Sequence, residues 1–165
     1  MICTVDETAL TARTYCLGMR AEDIVEDFPV VRTDSPALDA VRMVADQRLP
    51  GLMVTDTSGK PYAVLAAADL VRFILPGYVQ DDLSLAGVLG SSMAGHAADN
   101  LRGKTVADLL PKQLHHVPVA KAGDGTIAVA AEMLQVRSPL IAVTKDGKLH
   151  GVITASRLLA AALES

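Results

Sequence analysis

Short apolar runs alternate along the chain with longer stretches whose apolar residues recur every three or four positions. The alternation runs once from 29 to 75 and again from 115 to 163. In each copy a short strand precedes an amphipathic helix, two further strands follow, and a second helix ends the copy. The pattern therefore predicts a β-α-β-β-α arrangement that occurs twice.

The first copy follows a helical turn over 21–25. It opens with a strand within 29–33 and a helix that starts at Pro36 and is capped by Asp34 or Ser35. Proline favours the first helical position because its ring presets the backbone angle there. The apolar positions of this helix are spaced by three and four residues: Leu38, Val41, Val44 and Ala45. Strands over 52–55 and 62–65 and a helix over 67–75 complete the copy.

The second copy repeats this order, with Pro50 corresponding to Pro139 and Val54-Thr55 to Val143-Thr144. Its predicted elements are a lead-in helix over 105–110, a strand over 115–119, a helix over 125–136, strands over 140–144 and 150–154, and a helix over 155–163. An internal repeat of this size is a strong architectural signal. It divides the chain into an N-terminal arm (1–19), a first repeat (20–76), a spacer (77–103) and a second repeat (104–165).

The spacer carries apolar residues at roughly helical spacing, although several glycines weaken the pattern. We expect one or two loose helices there that pack across the repeats. The arm interleaves threonines with apolar residues and is assigned no element.

The stretch from Gly147 to Arg157 joins a turn, a short β-branched strand, a hydroxyl and the start of a helix. Thr154 is placed to cap that helix. Other backbone N–H groups at the helix start are then free to bind a ligand. Such a place suits a phosphate or a ribose. The stretch 59–69 has the same shape 88 positions earlier, so the feature belongs to the repeat.

Half of the residues are hydrophobic, yet the chain has two Phe, three Tyr and no Trp. The core is therefore expected to consist of aliphatic side chains. The mean hydropathy of +0.32 is high for a small domain, and no apolar stretch approaches the ~18 residues of a membrane span. We therefore expect a homodimer. The helix over 125–136 supports this expectation, because it has no broad polar face; the sister repeat or a second chain must cover its far side.

Charge and motif content exclude several classes of function. A net charge of −4 and scattered basic residues argue against nucleic-acid binding. Cys3 and Cys16 have neither metal nor redox spacing, which indicates reduced thiols and a cytoplasmic location. The adjacent His115 and His116 would point to opposite faces of a strand, so no metal site is expected. With no nucleophile motif and no phosphate-binding loop, the protein is not expected to be an enzyme.

Arg48 and Arg137 each follow a predicted helix. A cation at this place interacts favourably with the helix dipole, by about 0.3–1 kcal/mol. In a second interpretation, both guanidinium groups point into ligand-binding clefts and bind phosphate groups there.

The ordered series of motifs resembles the tandem CBS domain, the cystathionine-β-synthase-type module. The resemblance extends from about residue 20 to the C-terminus and omits the arm and part of the spacer. In the first copy it rests on Thr33-Asp34-Ser35-Pro36, on 48–56 and on Gly59-Lys60. In the second copy it rests on 138–143, on Asp146-Gly147-Lys148 and on 151–154.

The resemblance implies an α/β (α+β) fold in which two pseudo-symmetric repeats pack as one module. Proteins with this module typically bind adenosine nucleotides or related ligands in clefts between the repeats, dimerise, and regulate an enzyme or transporter. It therefore implies a regulatory ligand-sensing module for AMP, ADP, ATP or S-adenosylmethionine. The alternative is a ligand-free dimerisation and interaction scaffold for a separately encoded enzyme or transporter.

In ligand-binding members the third strand ends in Thr or Ser, and an Asp three residues later binds the ribose hydroxyls. Here the first copy has Asp69 but Ala66 at the hydroxyl position. The second copy has Thr154 but Arg157 at the carboxylate position, where it would bind phosphate oxygens or pair with a carboxylate. The other residues that the resemblance places at the clefts are Thr33, Leu52, Met53, Pro139 and Leu140.

Overall fold

The computed structural model describes residues 18–75, 77–88, 97–113 and 116–164. Predictions for the arm up to residue 17, which includes both cysteines, for the spacer over 89–96 and for His115 fall outside these residues. The chain separates into two compact units. The first-repeat unit comprises Pro29–His116, and the second-repeat unit combines the residues up to Phe28 with those from Val117 onward.

The helices and strands of both repeats follow the predicted order. The helices are α1 (Ala21–Ile24), α2 (Ala37–Gln47), α3 (Ala67–Val71), α4 (Gly77–Asp81), α5 (Ala97–Leu101), α6 (Val106–Leu109), α7 (Thr126–Val136) and α8 (Ala155–Leu163), with 3-10 turns at Arg72–Ile74 and Leu83–Val88. The strands are β1 (Val30–Arg32), β2 (Gly51–Thr55), β3 (Pro61–Ala66), β4 (Val119–Lys121), β5 (Leu140–Lys145) and β6 (Lys148–Thr154). The β-α-β-β-α arrangement predicted for each copy is confirmed.

The first-repeat unit is built on a three-stranded sheet in the order β1-β2-β3. β1 runs parallel to β2, which requires a crossover connection, and α2 supplies it. β2 runs antiparallel to β3 and places Gly51 opposite Ala66. The lead-in helix α6 of the second repeat belongs to this unit, because the Ala107 N–H donates to the Thr33 carbonyl at 2.9 Å.

The second-repeat unit has the same topology in the order β4-β5-β6. Asp146 and Gly147 both have positive φ (54° and 77°), as a two-residue hairpin turn between right-twisted strands requires. Leu140 lies opposite Thr154 at the other end of this hairpin. The lead-in helix α1 of the first repeat lies in this unit, where the Ala21 N–H donates to the Asp124 carbonyl at 2.8 Å.

Each unit buries an aliphatic core between its sheet and its helices, as the composition predicts. In the first-repeat unit the core includes Leu52 and Val54 of β2, Ala40 and Val44 of α2, and Val106 and Leu109 of α6. In the second-repeat unit it includes Ile141 and Val143 of β5, Val129 and Met133 of α7, and Ala21 and Ile24 of α1. Among the described residues, no helix is long and apolar enough to cross a membrane.

The start of α2 differs from the prediction. Pro36 is the N-cap residue, with extended backbone angles, and the helix begins at Ala37. Neither Asp34 nor Ser35 caps it, because both side chains bind Arg32 instead: Asp34 Oδ2 pairs with the guanidinium at 2.9 Å, and Ser35 Oγ accepts from the backbone N–H at 3.2 Å. The side chains of Asp34 and Ser35 therefore stabilise the turn before α2 and do not cap the helix.

Two other boundaries differ. The strand predicted over 115–119 begins only at Val119, because Pro118 has no N–H and contributes just its carbonyl, which accepts from Ala142 N at 3.0 Å. The helix predicted over 67–75 ends at Val71 and tightens into a 3-10 turn. Its Arg72 side chain donates to the Leu109 carbonyl at 3.1 Å and so ties this turn to the end of α6.

Candidate ligand site

The first-repeat sheet delivers the chain from β3 directly into α3. Ala66 is the N-cap residue, and no side chain caps the helix. The Ala67 N–H donates to the Pro50 carbonyl at 3.0 Å, which fixes the start of α3 against the start of β2. The strands approach closely here, because a Cβ at Gly51 would lie 2.7 Å from the Leu65 carbonyl oxygen.

Asp69 lies in the first turn of α3, and its side chain is exposed. The carboxylate forms no hydrogen bond or ion pair with another described residue. It therefore keeps all of its acceptor positions, and the helix dipole favours a negative charge at this end. The predicted position at a helix start after the third strand is what the structure shows.

Thr33 lies at the other end of the same sheet. It follows β1, and its N–H donates to the Thr55 carbonyl at 3.0 Å. Gly51 and Thr55 bound β2, so the two ends are about 13 Å apart at ~3.3 Å per residue. Within the first-repeat unit, Thr33 and Asp69 are therefore not brought together.

The apolar residues expected at the clefts lie mainly inside the sheets. Leu52, Met53 and Leu140 are fully buried. Pro139 is half-buried, and its carbonyl accepts from the Ala155 N–H at 3.0 Å, the counterpart of the Pro50–Ala67 bond. A ligand would reach the three buried side chains only if neighbouring side chains moved.

Thr154 caps α8 as predicted, since its Oγ1 accepts from the Arg157 N–H at 3.0 Å. The same hydroxyl donates to Glu26 Oε2 at 2.6 Å and lies 3.0 Å from Ser156 Oγ. An ionised carboxylate only accepts hydrogen bonds, so the single Thr154 proton goes to Glu26 and the Ser156 hydroxyl is the donor to Thr154. One donation and two acceptances use the full hydrogen-bonding capacity of the Thr154 hydroxyl.

Glu26 reaches this position from the chain segment that follows α1. Its backbone N–H donates to the Val152 carbonyl at 2.8 Å, which bridges the segment to β6. The preceding Val25 packs over Gly151, where an added Cβ would lie 2.9 Å from the Val25 Cβ. The absence of a side chain at Gly151 thus lets the segment approach β6 and seats the carboxylate at the start of α8.

Arg157 is half-buried one turn into α8. Its backbone N–H is used by Thr154, whereas its guanidinium forms no ion pair with another described residue. The end of the second-repeat sheet therefore brings together four of the expected residues: Thr154, Arg157, Pro139 and Leu140.

The two units differ at corresponding positions. Thr105 and Asp108 of the α6 lead-in correspond to Arg20 and Asp23 of the α1 lead-in, 85 positions earlier. The same offset makes Pro111 the counterpart of Glu26. Proline has neither a carboxylate nor a backbone N–H to bond a strand. The Glu26 contact therefore has no equivalent at Ala66.

Arg48 and Arg137 both adopt left-handed backbone angles, with φ of 52° and 53°. Their backbone N–H groups donate to Val44 and Leu134 carbonyls and so close α2 and α7. The backbone of both arginines therefore ends a helix, which supports the first interpretation, a cation at the end of a helix.

A pocket of about 380 Å³ lies at the hairpin end of the second-repeat sheet. It is lined by Lys121, Ala122, Gly123, Thr144, Lys145, Asp146 and Gly147. None of the predicted site residues borders it, because β6 ends in Thr154 at the opposite end of the sheet. Across the described part of the chain, no group of His, Cys, Asp and Glu is arranged to hold a metal ion.

Comparison with known proteins identifies the fold. The CBS domain family model matches the chain twice, over 21–76 and 106–164. The chain belongs to the CBS domain family. No curated protein matches it.

Solved structures of CBS proteins resemble this CBS chain along most of its length. A CBS domain-containing protein of unknown function from Kribbella flavida DSM 17836 is 50% identical, with a TM-score of 0.78, and the match covers 88% of this chain and 99% of that chain. CBSX2 in complex with AMP is 21% identical (TM-score 0.62; 89% and 98% covered). The CBS domain of a bacterial CNNM/CorC family Mg²⁺ transporter in complex with ATP is 13% identical (TM-score 0.65; 95% and 96% covered).

Sequence reasoning did not find Glu26. The residue lies in the first repeat between α1 and β1, and nothing local marks it as a partner of a strand more than a hundred positions later. The one available signal is the offset of 85 between the two lead-in segments, which aligns Glu26 with Pro111. That signal marks a difference between the CBS repeats, but it does not reveal a contact.

Proposed function

We propose that this chain is a cytoplasmic regulatory CBS pair that binds an adenosine nucleotide at Asp69 and thereby alters the activity of a partner protein. The observation that carries the proposal is the exposed Asp69 carboxylate, which no other described residue engages. Structures of AMP-bound CBSX2 and of an ATP-bound transporter CBS domain support the ligand class. The partner is an enzyme or transporter on a separate chain.

The chemistry of Asp69 suits a ribose. An ionised carboxylate has two oxygens and accepts from the 2′- and 3′-hydroxyls at once. Such bonds to a charged acceptor each contribute about 1.5–3 kcal/mol when they are formed away from water. S-adenosylmethionine presents the same two hydroxyls, so it is an alternative ligand for the same position.

Calorimetric titration with AMP, ADP, ATP and S-adenosylmethionine tests this proposal. We expect Asp69→Ala to weaken binding at least tenfold and to weaken it more than Arg157→Ala does. Asp39→Asn is a matched control, because Asp39 is also an exposed carboxylate in the first turn of a helix of the same unit, α2. Flat titrations with all four compounds at millimolar concentration would overturn the proposal.

A ligand-free scaffold is the second candidate, and the apolar surface of the second-repeat unit favours it. The neighbouring helices α7 and α8 expose four large apolar side chains: Ile127 (67%), Leu134 (77%), Leu159 (63%) and Leu163 (84%). Several large exposed apolar side chains on neighbouring helices are typical of an interaction site. We propose that a second copy of the chain covers it to form a homodimer.

Analytical ultracentrifugation at micromolar concentration tests the homodimer. We expect the wild-type chain to sediment as a dimer and Leu134→Asp to sediment as a monomer with an unchanged circular-dichroism spectrum. Val71→Asp is the control, because Val71 is an exposed apolar helical residue of the first-repeat unit (57%). A monomeric wild-type protein would count against the dimer, and with it against the scaffold.

A further inference from the structure

We infer that Glu26 is a tethered competitor that keeps the ligand position at Thr154 closed, so that the chain binds one nucleotide rather than two. The inference rests on the proposed function, because it concerns the second copy of the same kind of position. It goes beyond that function by assigning a role to Glu26, which is not among the site residues expected from the sequence.

The first step is the occupancy of the Thr154 hydroxyl. Its proton is donated to Glu26 Oε2 at 2.6 Å, and it accepts from the Arg157 N–H and the Ser156 hydroxyl, both at 3.0 Å. A hydroxyl offers one donor and two acceptor positions. A ligand can therefore bond to Thr154 only by displacing one of these partners.

The second step is electrostatic. The start of α8 carries the positive end of the helix dipole, which favours an anion. Glu26 already supplies that negative charge, and the Thr154 N–H points to the same carboxylate oxygen at 3.4 Å. A nucleotide phosphate arriving here would meet a carboxylate at short range, so its approach is opposed until Glu26 moves away.

The third step is the tether. The Glu26 N–H bonds to the Val152 carbonyl at 2.8 Å, and Val25 fills the space above Gly151. These contacts hold the carboxylate in place at a high effective concentration, which a free ligand must overcome. The contact is therefore expected to compete well even though the segment joins β6 through a single bridge.

The fourth step is the contrast with the first repeat. The counterpart of Glu26 is Pro111, an exposed residue that lacks both a carboxylate and an N–H. The counterpart of Thr154 is Ala66, which caps α3 without a side-chain bond. At the start of α3 in the first repeat, no carboxylate of a described residue takes the place that Glu26 has at the start of α8. The carboxylate of Asp69 in this helix is exposed to solvent.

Counting bound ATP by equilibrium dialysis tests the inference. We expect one ATP per wild-type chain and two per chain in Glu26→Ala. Glu26→Gln keeps the size of the side chain and removes its charge, so it provides the same test if the alanine variant unfolds. Asp27→Asn is the matched control, since Asp27 is the exposed neighbouring carboxylate, and it should remain at one.

Further variants locate the second molecule. Adding Thr154→Val to Glu26→Ala should return the count to one bound ATP. In the double variant Glu26→Ala/Asp69→Ala the count should also be one, because only the molecule at Thr154 remains bound. A count of one in folded Glu26→Ala and Glu26→Gln would overturn the inference, as would two in the wild-type chain. No binding to the wild-type chain, with one molecule on Glu26→Ala, would instead overturn the proposed Asp69 site and support the role of Glu26.

Discussion

Val25 packs so closely over Gly151 that a Cβ at position 151 would lie 2.9 Å from the Val25 Cβ and 3.2 Å from its Cγ1. The contact joins the segment after α1 to a strand of the second repeat. Together with the Ala21–Asp124 backbone bond, it joins the described residues up to Phe28 to those from Val117 onward in one compact unit.

We expect Gly151→Ala to push this segment away from β6. Forcing a methyl group into a filled contact costs about 1–3 kcal/mol, and urea unfolding measures the loss of stability. Amide hydrogen exchange at Glu26 should become faster, because its N–H bond to Val152 depends on the same contact.

Gly123→Ala is the control for this prediction, because Gly123 lies in the same unit and a Cβ there meets nothing within 4 Å. Unchanged protection of the Glu26 amide in Gly151→Ala would show that the segment is held by other contacts.

Gly51→Ala is expected to be more damaging, because the clash is with backbone. The added Cβ would lie 2.7 Å from the Leu65 carbonyl oxygen and 3.1 Å from the Ala66 Cα. Relief requires the paired strands β2 and β3 to separate, so we expect a loss of at least about 2 kcal/mol in the free energy of unfolding. Gly77→Ala, at the open start of α4, should show no loss in the same urea titration.

Arg48→Gly is expected to stabilise the protein. Arg48 has a φ of 52°, and a left-handed backbone costs a non-glycine residue about 1–2 kcal/mol. Glycine removes that strain, but it loses more entropy on folding and gives up the favourable interaction of the guanidinium with the helix dipole, so we expect a net gain of only about 0.5 kcal/mol. Thermal unfolding measures it.

The same variant separates the two interpretations of Arg48. If the side chain only ends α2, nucleotide affinity should remain unchanged in calorimetric titration, and this is the result we expect. A tenfold or greater loss of affinity would instead assign the guanidinium to the phosphates.

Asp108 is expected to make stability depend on pH. Hydrogen bonds from the Thr105 backbone N–H at 2.8 Å and from the Thr105 hydroxyl at 3.1 Å hold the Asp108 pKa below its ordinary value. A carboxyl whose pKa is lowered by folding stabilises the protein above the pKa of the unfolded chain. That contribution is lost as the pH falls through the lowered pKa of the folded state.

Asp108→Asn should therefore unfold at lower urea concentration than the wild-type chain at pH 7, and the difference should shrink at pH 3. A difference for Asp108→Asn that stays constant between the two pH values would contradict the prediction.

The elements of the fold could be predicted well from local patterns. The closing helix over 155–163, the hairpin turn at Asp146-Gly147 and the cap at Thr154 depend on residues within a few positions of one another. The predictions that failed involve a competing local partner or a missing donor. Asp34 and Ser35 bind Arg32 instead of capping α2, and Pro118 delays the start of β4.

The sequence by itself determined the repeat, the order of its elements, the aliphatic core and the positions of Asp69 and Thr154. These follow from periodicity and from short-range backbone preferences. Only the tertiary structure decided that the Thr154 hydroxyl is already used, because its partner Glu26 is 128 positions away along the chain. Packing of Val25 over Gly151 brings that carboxylate into place, and such a contact depends on the three-dimensional path of the backbone rather than on any local pattern.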